Sequence, residues 1–130
     1  MEKIMTSDAI APKTPIAAHI LAGLVGLAMS ASAGAKLAGV EAVVANLTSY
    51  GLGDFVLPIG VLELTCAILF VVPKTSSLGT YLVTGYFGGA IVAHLTAGDV
   101  AGIVPAVVLG LLAWGANYLR NRKMFESLSR

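Results

Sequence analysis

Charge is what this chain has least of. Asp, Glu, Lys and Arg make up 12% of its 130 residues, against about 25% in soluble domains. Half the usual complement cannot coat a globule, so a water-soluble domain is excluded and much of the surface must meet lipid. Cysteine is nearly missing too. Cys66 stands alone, which rules out an intramolecular disulfide and CxxC chemistry. Net charge is +1 and the basic residues sit near the termini, so nucleic acid is not an expected partner. No Gly-rich phosphate loop, HExxH, CxxCH or GxSxG string occurs. Metal ligands are equally scarce: His94 with Glu63 would be too few, so no metal site is expected.

What is present is apolar. Hydrophobic residues make up 57% of the chain and mean hydropathy is +0.88. Four runs, about residues 16–37, 55–72, 78–95 and 101–119, each suit one helical crossing. Pro73, Lys74 and two serines break the second run from the third, and Gly98 and Asp99 break the third from the fourth. The expected fold is all-α: a four-helix transmembrane bundle forming one membrane domain over residues 1–130. The first loop, "VEAVVANLTSYG", places Val40, Val43, Val44, Leu47 and Tyr50 at helical spacing, with Gly51 as a stop. It reads as a short amphipathic helix on the membrane or bundle surface.

Positive charge sets the topology. Lys3 and Lys13, Lys74, and Arg120, Arg122 and Lys123 fall on one side of four spans. Lys36 with Glu41, Asp54 and Asp99 fall on the other. Both termini are therefore expected in the cytoplasm, with the protein in the plasma or inner membrane and the short helix outside. Trp114 and Tyr118 then sit at the cytoplasmic interface. A rival reading takes "MSASAGA", with Ala31 and Ala33, as a signal-peptidase site. The run is long enough to span, however, and Lys36 can anchor its outer end. Small residues also recur along it at Ala18, Ala22, Gly26, Ser30 and Gly34, a ridge that lets helices approach closely in lipid. Gly85 and Gly89 form a GxxxG in the third span and read as packing positions on the same grounds.

Glu63 is the residue that needs an explanation. It lies about 10 Å below the outer end of its span, where an unpaired carboxylate costs at least about 2.5 kcal/mol. It must face the bundle, be protonated, or find a partner. Lys36 can reach down from the interface on its long stem, and His94, about one turn beneath Asp99, is the second candidate. His19 falls near the opposite membrane face. Two readings of the pair stay open: a staple that holds two helices in register, or part of a site that handles a ligand or its protons. Cys66 reads as a small packing residue, and Tyr81, Thr84 and Tyr86 as residues whose hydroxyls are satisfied within the bundle.

The strings "SAGAKLAG", "LPIGVLELTCAILFVVPKT" and "GYFGGAIVAHLTAGD" together resemble the DoxX-like membrane proteins, over most of the chain from about residue 22 to 119. Lys36 and Glu63 fall at that family's recurring lysine and glutamate. Leu64, Thr65 and Cys66 depart from the paired small residues usual there. The resemblance implies a four-helix integral membrane protein without naming one function. Its members include a small subunit of a thiosulfate:quinone oxidoreductase and relatives needed to mature a periplasmic amine dehydrogenase. A distant eukaryotic relative assists receptor assembly.

Two functions follow as expectations. In the first, Glu63, Lys36 and His94 line a pocket for a quinone-like molecule or lipid, in an accessory subunit of a membrane redox system. No intrinsic cofactor is expected, so a partner membrane protein would carry the electrons. In the second, the chain is a non-enzymatic assembly protein docking on another membrane protein or on a second copy of itself. A stand-alone enzyme has no recognisable nucleophile arrangement to support it.

Overall fold

The computed structural model describes residues 14–130; Lys3 and Lys13 of the topology argument lie outside them. Six α-helices follow in order among these residues: α1 (Ile16–Leu37), α2 (Glu41–Ser49), α3 (Val56–Val71), α4 (Ser76–Thr96), α5 (Ile103–Arg120) and α6 (Arg122–Leu128). Short 3-10 turns, Gly53–Phe55 and Pro73–Thr75, lead into α3 and α4. Four segments are long and apolar enough to cross a membrane: Ile16–Leu37, Gly53–Val71, Pro73–Thr96 and Ile103–Arg120. They follow the expected spans closely, and the short helix of the first loop is α2. The terminal helix α6 has no counterpart among the expected elements.

Local chemistry sets the boundaries. Pro15 caps the start of α1, where its missing N–H costs nothing. Gly51 ends α2 and Gly98 ends α4, with φ of 76° and 73°, values that side-chain-bearing residues rarely adopt. At Gly98 the chain reverses tightly enough for Asp99 N–H to donate to His94 C=O at 2.9 Å. That turn brings the Asp99 side chain back beside His94.

The bundle is a ring in which α1 packs on α3 and α5, and α4 packs on α3 and α5. Its outside is apolar. Ile20, Leu24 and Leu27 on α1, Val61 and Ile68 on α3, and Val104, Val108 and Leu111 on α5 are all exposed, the arrangement of a protein whose solvent is lipid. Its inside is small or aromatic. Ala22, Val25, Met29, Ala67, Phe70, Val83, Phe87, Ala113 and Ala116 form one core. Towards the Pro73 end, Gly79 of α4 lies against the Phe70 and Leu69 backbone and any Cβ would collide. Gly26 of α1 likewise meets the Val71 side chain.

The Pro73 end is also closed by polar caps. Arg120 donates to the Phe70 and Val71 carbonyls at 2.8 and 3.2 Å, satisfying acceptors that the end of α3 leaves open. Its guanidinium stacks 4.7 Å from the Phe70 ring. Trp114, expected as an interfacial anchor, donates to Thr84 at 2.8 Å and meets Tyr81 and Phe125 edge-on. Phe125 also meets Tyr118, so α6 folds back onto α5 through these rings.

Candidate functional site

The opposite end of the bundle is hollow. A cavity of about 970 Å³ opens among all four long helices beneath α2, at the upper end of the range typical for small-molecule sites. Most of its wall is apolar, including Met29, Ile59, Leu62, Phe87, Ala106 and Leu109. Two polar clusters interrupt that wall.

The first cluster is the Lys36–Glu63 pair. Lys36 Nζ lies 2.7 Å from Glu63 Oε2, with the two residues 8% and 3% exposed. The approach of α1 and α3 makes this possible. A Cβ on Gly60 would come within 3.1 Å of Lys36 Cβ and 3.2 Å of the Leu37 side chain, so the absent side chain lets α1 press onto α3 one turn from Glu63. Ser32 completes the cluster. Its hydroxyl donates to Glu63 Oε2 at 3.2 Å and accepts from Lys36 Nζ at 2.6 Å. Ser32 is absent from the sequence-based candidates, although it precedes Lys36 by four residues and so shares its helical face. Tyr86 of α4 lines the cavity and stands close to the same carboxylate, so its place is at the site rather than merely within the bundle.

The second cluster gathers at the outer rim, under α2. His94 Nδ1 lies 3.0 Å from Asp99 Oδ2. Tyr50 O–H donates to the same oxygen at 2.7 Å, and Gly102 N–H donates to Oδ1 at 3.0 Å. Tyr50 also packs edge-on to the His94 ring, 4.9 Å between centroids. The hydrogen bonds from Tyr50, Gly102 and His94, in that order, hold the Asp99 carboxyl below its usual range. The Tyr50 phenol is raised, chiefly by its bond to Asp99. Two expected site residues, Lys36 and Glu63, are thus in direct contact. His94 lines the same cavity but bonds to Asp99 rather than to either of them. Asp99 and Tyr50 are visible in the sequence only as an edge carboxylate and an amphipathic-helix residue.

The small residues divide in a way their spacing does not reveal. Gly26 is a packing position. A Cβ at Gly34, Gly85 or Gly89 meets nothing within 4 Å, so these three glycines make no close helix approach among the described residues. Gly85 and Gly89 line the cavity instead. Ser30 is half-buried on α1. Cys66, a free thiol, is buried at the cavity wall. No group of three His, Cys, Asp or Glu side chains among the described residues could hold a metal ion.

No curated protein and no solved structure matches this chain. The family model of the DoxX-like family matches residues 20–116, a stretch that includes α1 from its second turn, the Lys36–Glu63 pair, the rim cluster and most of α5. The chain is an integral membrane protein of four spanning helices and belongs to the DoxX-like family.

Proposed function

We propose that the outer-half cavity binds a hydrophobic small molecule with a hydrogen-bonding polar head, of the quinone class, and that the protein serves a membrane redox system as an accessory subunit. One observation carries this reading: a largely apolar cavity has a buried ion pair on its wall. A staple alone needs no space beside it. An apolar chamber with a few convergent polar groups is how a protein holds an amphipathic ligand. Lys36 gives one hydrogen to Glu63 and one to the Ser32 hydroxyl, and its third can serve a carbonyl or similar acceptor on the ligand, while the surrounding aliphatic side chains receive the apolar body. The chain contributes the binding site, and a membrane-protein partner contributes the electron carrier.

In this reading the cavity faces the extracytoplasmic side of the plasma or inner membrane, with both termini in the cytoplasm. The charge distribution supports it. Lys74, Arg120, Arg122 and Lys123 lie at the Pro73 end, while Glu41, Asp54 and Asp99 lie at the α2 end. A cysteine at Thr48 should then react with an impermeant thiol reagent in intact cells, and one at Ser76 should not.

The test is purification in mild detergent, followed by lipid extraction and mass spectrometry, with an alkyl benzoquinone as added probe. Saturable binding that is lost in Gly85→Trp, which fills the cavity, supports the proposal. Absence of binding, together with a stoichiometric co-purifying membrane protein, favours the assembly function instead. That second reading has its own support in Gly34 and Gly88. Both are exposed outside the cavity, and a Cβ at either position would meet nothing within 4 Å. They offer a surface on which another helix could approach closely.

A further inference from the structure

The two polar clusters offer a ligand different chemistry, and the rim cluster has the sharper preference. Asp99 accepts three hydrogen bonds, from Tyr50, His94 and Gly102. A carboxylate has no hydrogen to give, so the His94–Asp99 contact at 3.0 Å requires the hydrogen to sit on Nδ1 of His94. In a neutral imidazole the other nitrogen is then a bare lone pair. His94 Nε2 has no hydrogen-bond partner among the described residues, and the ring lines the cavity. Its position is closely held. Tyr50 packs on it edge-to-face, and the Gly98 turn holds Asp99 beneath it. Gly102 leaves the space that the ring and carboxylate occupy, since a Cβ there would collide with both.

We infer that His94 Nε2 is a hydrogen-bond acceptor built for a ligand hydroxyl, so that the cavity selects apolar molecules bearing a phenolic or alcoholic O–H over their ethers. The inference rests on the cavity being a binding site, as proposed above, and it narrows what that site takes. Lys36 suits an acceptor group on the ligand. His94 suits a donor. For a molecule of the quinone class this means that the rim recognises the dihydroxy, reduced form. Asp99 and Tyr50 act through His94: Asp99 sets which nitrogen carries the hydrogen, and Tyr50 ties α2 over the ring. They are positioning residues.

Two measurements test this, and the first needs no ligand. Nitrogen NMR of isotope-labelled histidine in the detergent-solubilised protein reads the tautomer directly. The sequence has two histidines, and His19→Gln identifies His94. His94 should carry its hydrogen on Nδ1, with Nε2 bare. A ring with hydrogen on Nε2, alone or together with Nδ1, overturns the inference. The second compares binding of para-hexylphenol with that of its methyl ether. The unmodified protein should prefer the phenol by about fivefold or more, the worth of one hydrogen bond. His94→Phe and Asp99→Asn, the latter reversing the tautomer because an amide can donate to Nδ1, should bring that ratio close to one without weakening the ether. Equal binding of the two probes by the unmodified protein sinks the hydroxyl preference alone. If neither probe binds, the cavity reading falls with it.

Discussion

The two halves of the bundle are built from the same residue types and do opposite things with them. Near Pro73, glycine means contact: Gly79 presses α4 onto the α3 backbone around Phe70, and Gly26 takes the Val71 side chain. Under α2, Gly60 and Gly102 are contact positions too, but the glycines of α4 mean space. Gly85 and Gly89 face a chamber that no side chain of the described residues fills. Polar groups divide the same way. Arg120 and Thr75 close off backbone carbonyls of α3 at the packed end, whereas Lys36, Glu63, Tyr50 and His94 border the cavity. In lipid, helices gain little from hiding apolar surface from one another, so stability must come from close packing and satisfied polar groups. The packed half supplies the packing, which leaves the other half free to remain open.

The sharpest way to break this contrast is to place the same side chain in each half. Gly79→Leu should leave almost no folded protein in detergent extracts, because the obstacle is backbone that cannot move aside. Gly85→Leu should leave yield near normal while abolishing probe binding. Loss of folding in both would mean the chamber is not free space.

Lys36→Met comes next. It strands Glu63, which is 3% exposed, and should cost about 3–5 kcal/mol in thermal unfolding. Adding Glu63→Gln should recover much of that loss, since the stranded charge disappears. If the double variant regains stability but not probe binding, the pair is chemical as well as structural. Recovery of both would reduce it to a staple.

Smaller effects are expected at the rim. Tyr50→Phe removes one hydrogen bond to Asp99 and should destabilise by about 1 kcal/mol, with faster hydrogen exchange confined to α2. The pH dependence has a definite sign. Asp99 is depressed below its usual 3.8 by its hydrogen bonds, so its contribution to holding α2 is complete above that value. It is lost only as pH falls through the lowered pKa. Protection of α2 that already fails at mildly acidic pH would show that another group controls it. Cys66→Ala should be smallest, about 1 kcal/mol for one buried heavy atom, with probe binding retained.

The spans and the Lys36–Glu63 contact are legible in the sequence because lipid makes both obligatory. A run of about 20 apolar residues has few alternatives to crossing, and a carboxylate at that depth is costly enough to favour a partner, for which Lys36 is the long cation on that side. The cavity is not legible. A glycine reports only a missing side chain, and whether a neighbouring helix occupies the vacated space depends on residues far away in the chain. Thus GxxxG at Gly85 and Gly89 has the pattern of a seam and is a wall, while Gly60, with no such pattern around it, is a seam. The rim cluster is half visible. His94 and Asp99 are joined by a local turn, but Tyr50 reaches Asp99 from 49 residues away, after α2 folds back. Ser32 could be found from its spacing to Lys36. The charges at Arg122, Lys123 and Glu126 disguise α6, whose anchoring comes from Phe125 meeting Trp114 and Tyr118.

The Lys36–Glu63 pair also bears on how the chain enters the membrane as it is synthesised. Its partners are 27 residues apart and lie on the first two spanning helices. The costly carboxylate therefore emerges from the ribosome after its cation, and the two can meet as soon as the second crossing forms. That hairpin carries its own charge neutralisation into the bilayer. Nothing synthesised later is needed for it, and α4 and α5 arrive at a surface that is already electrically settled.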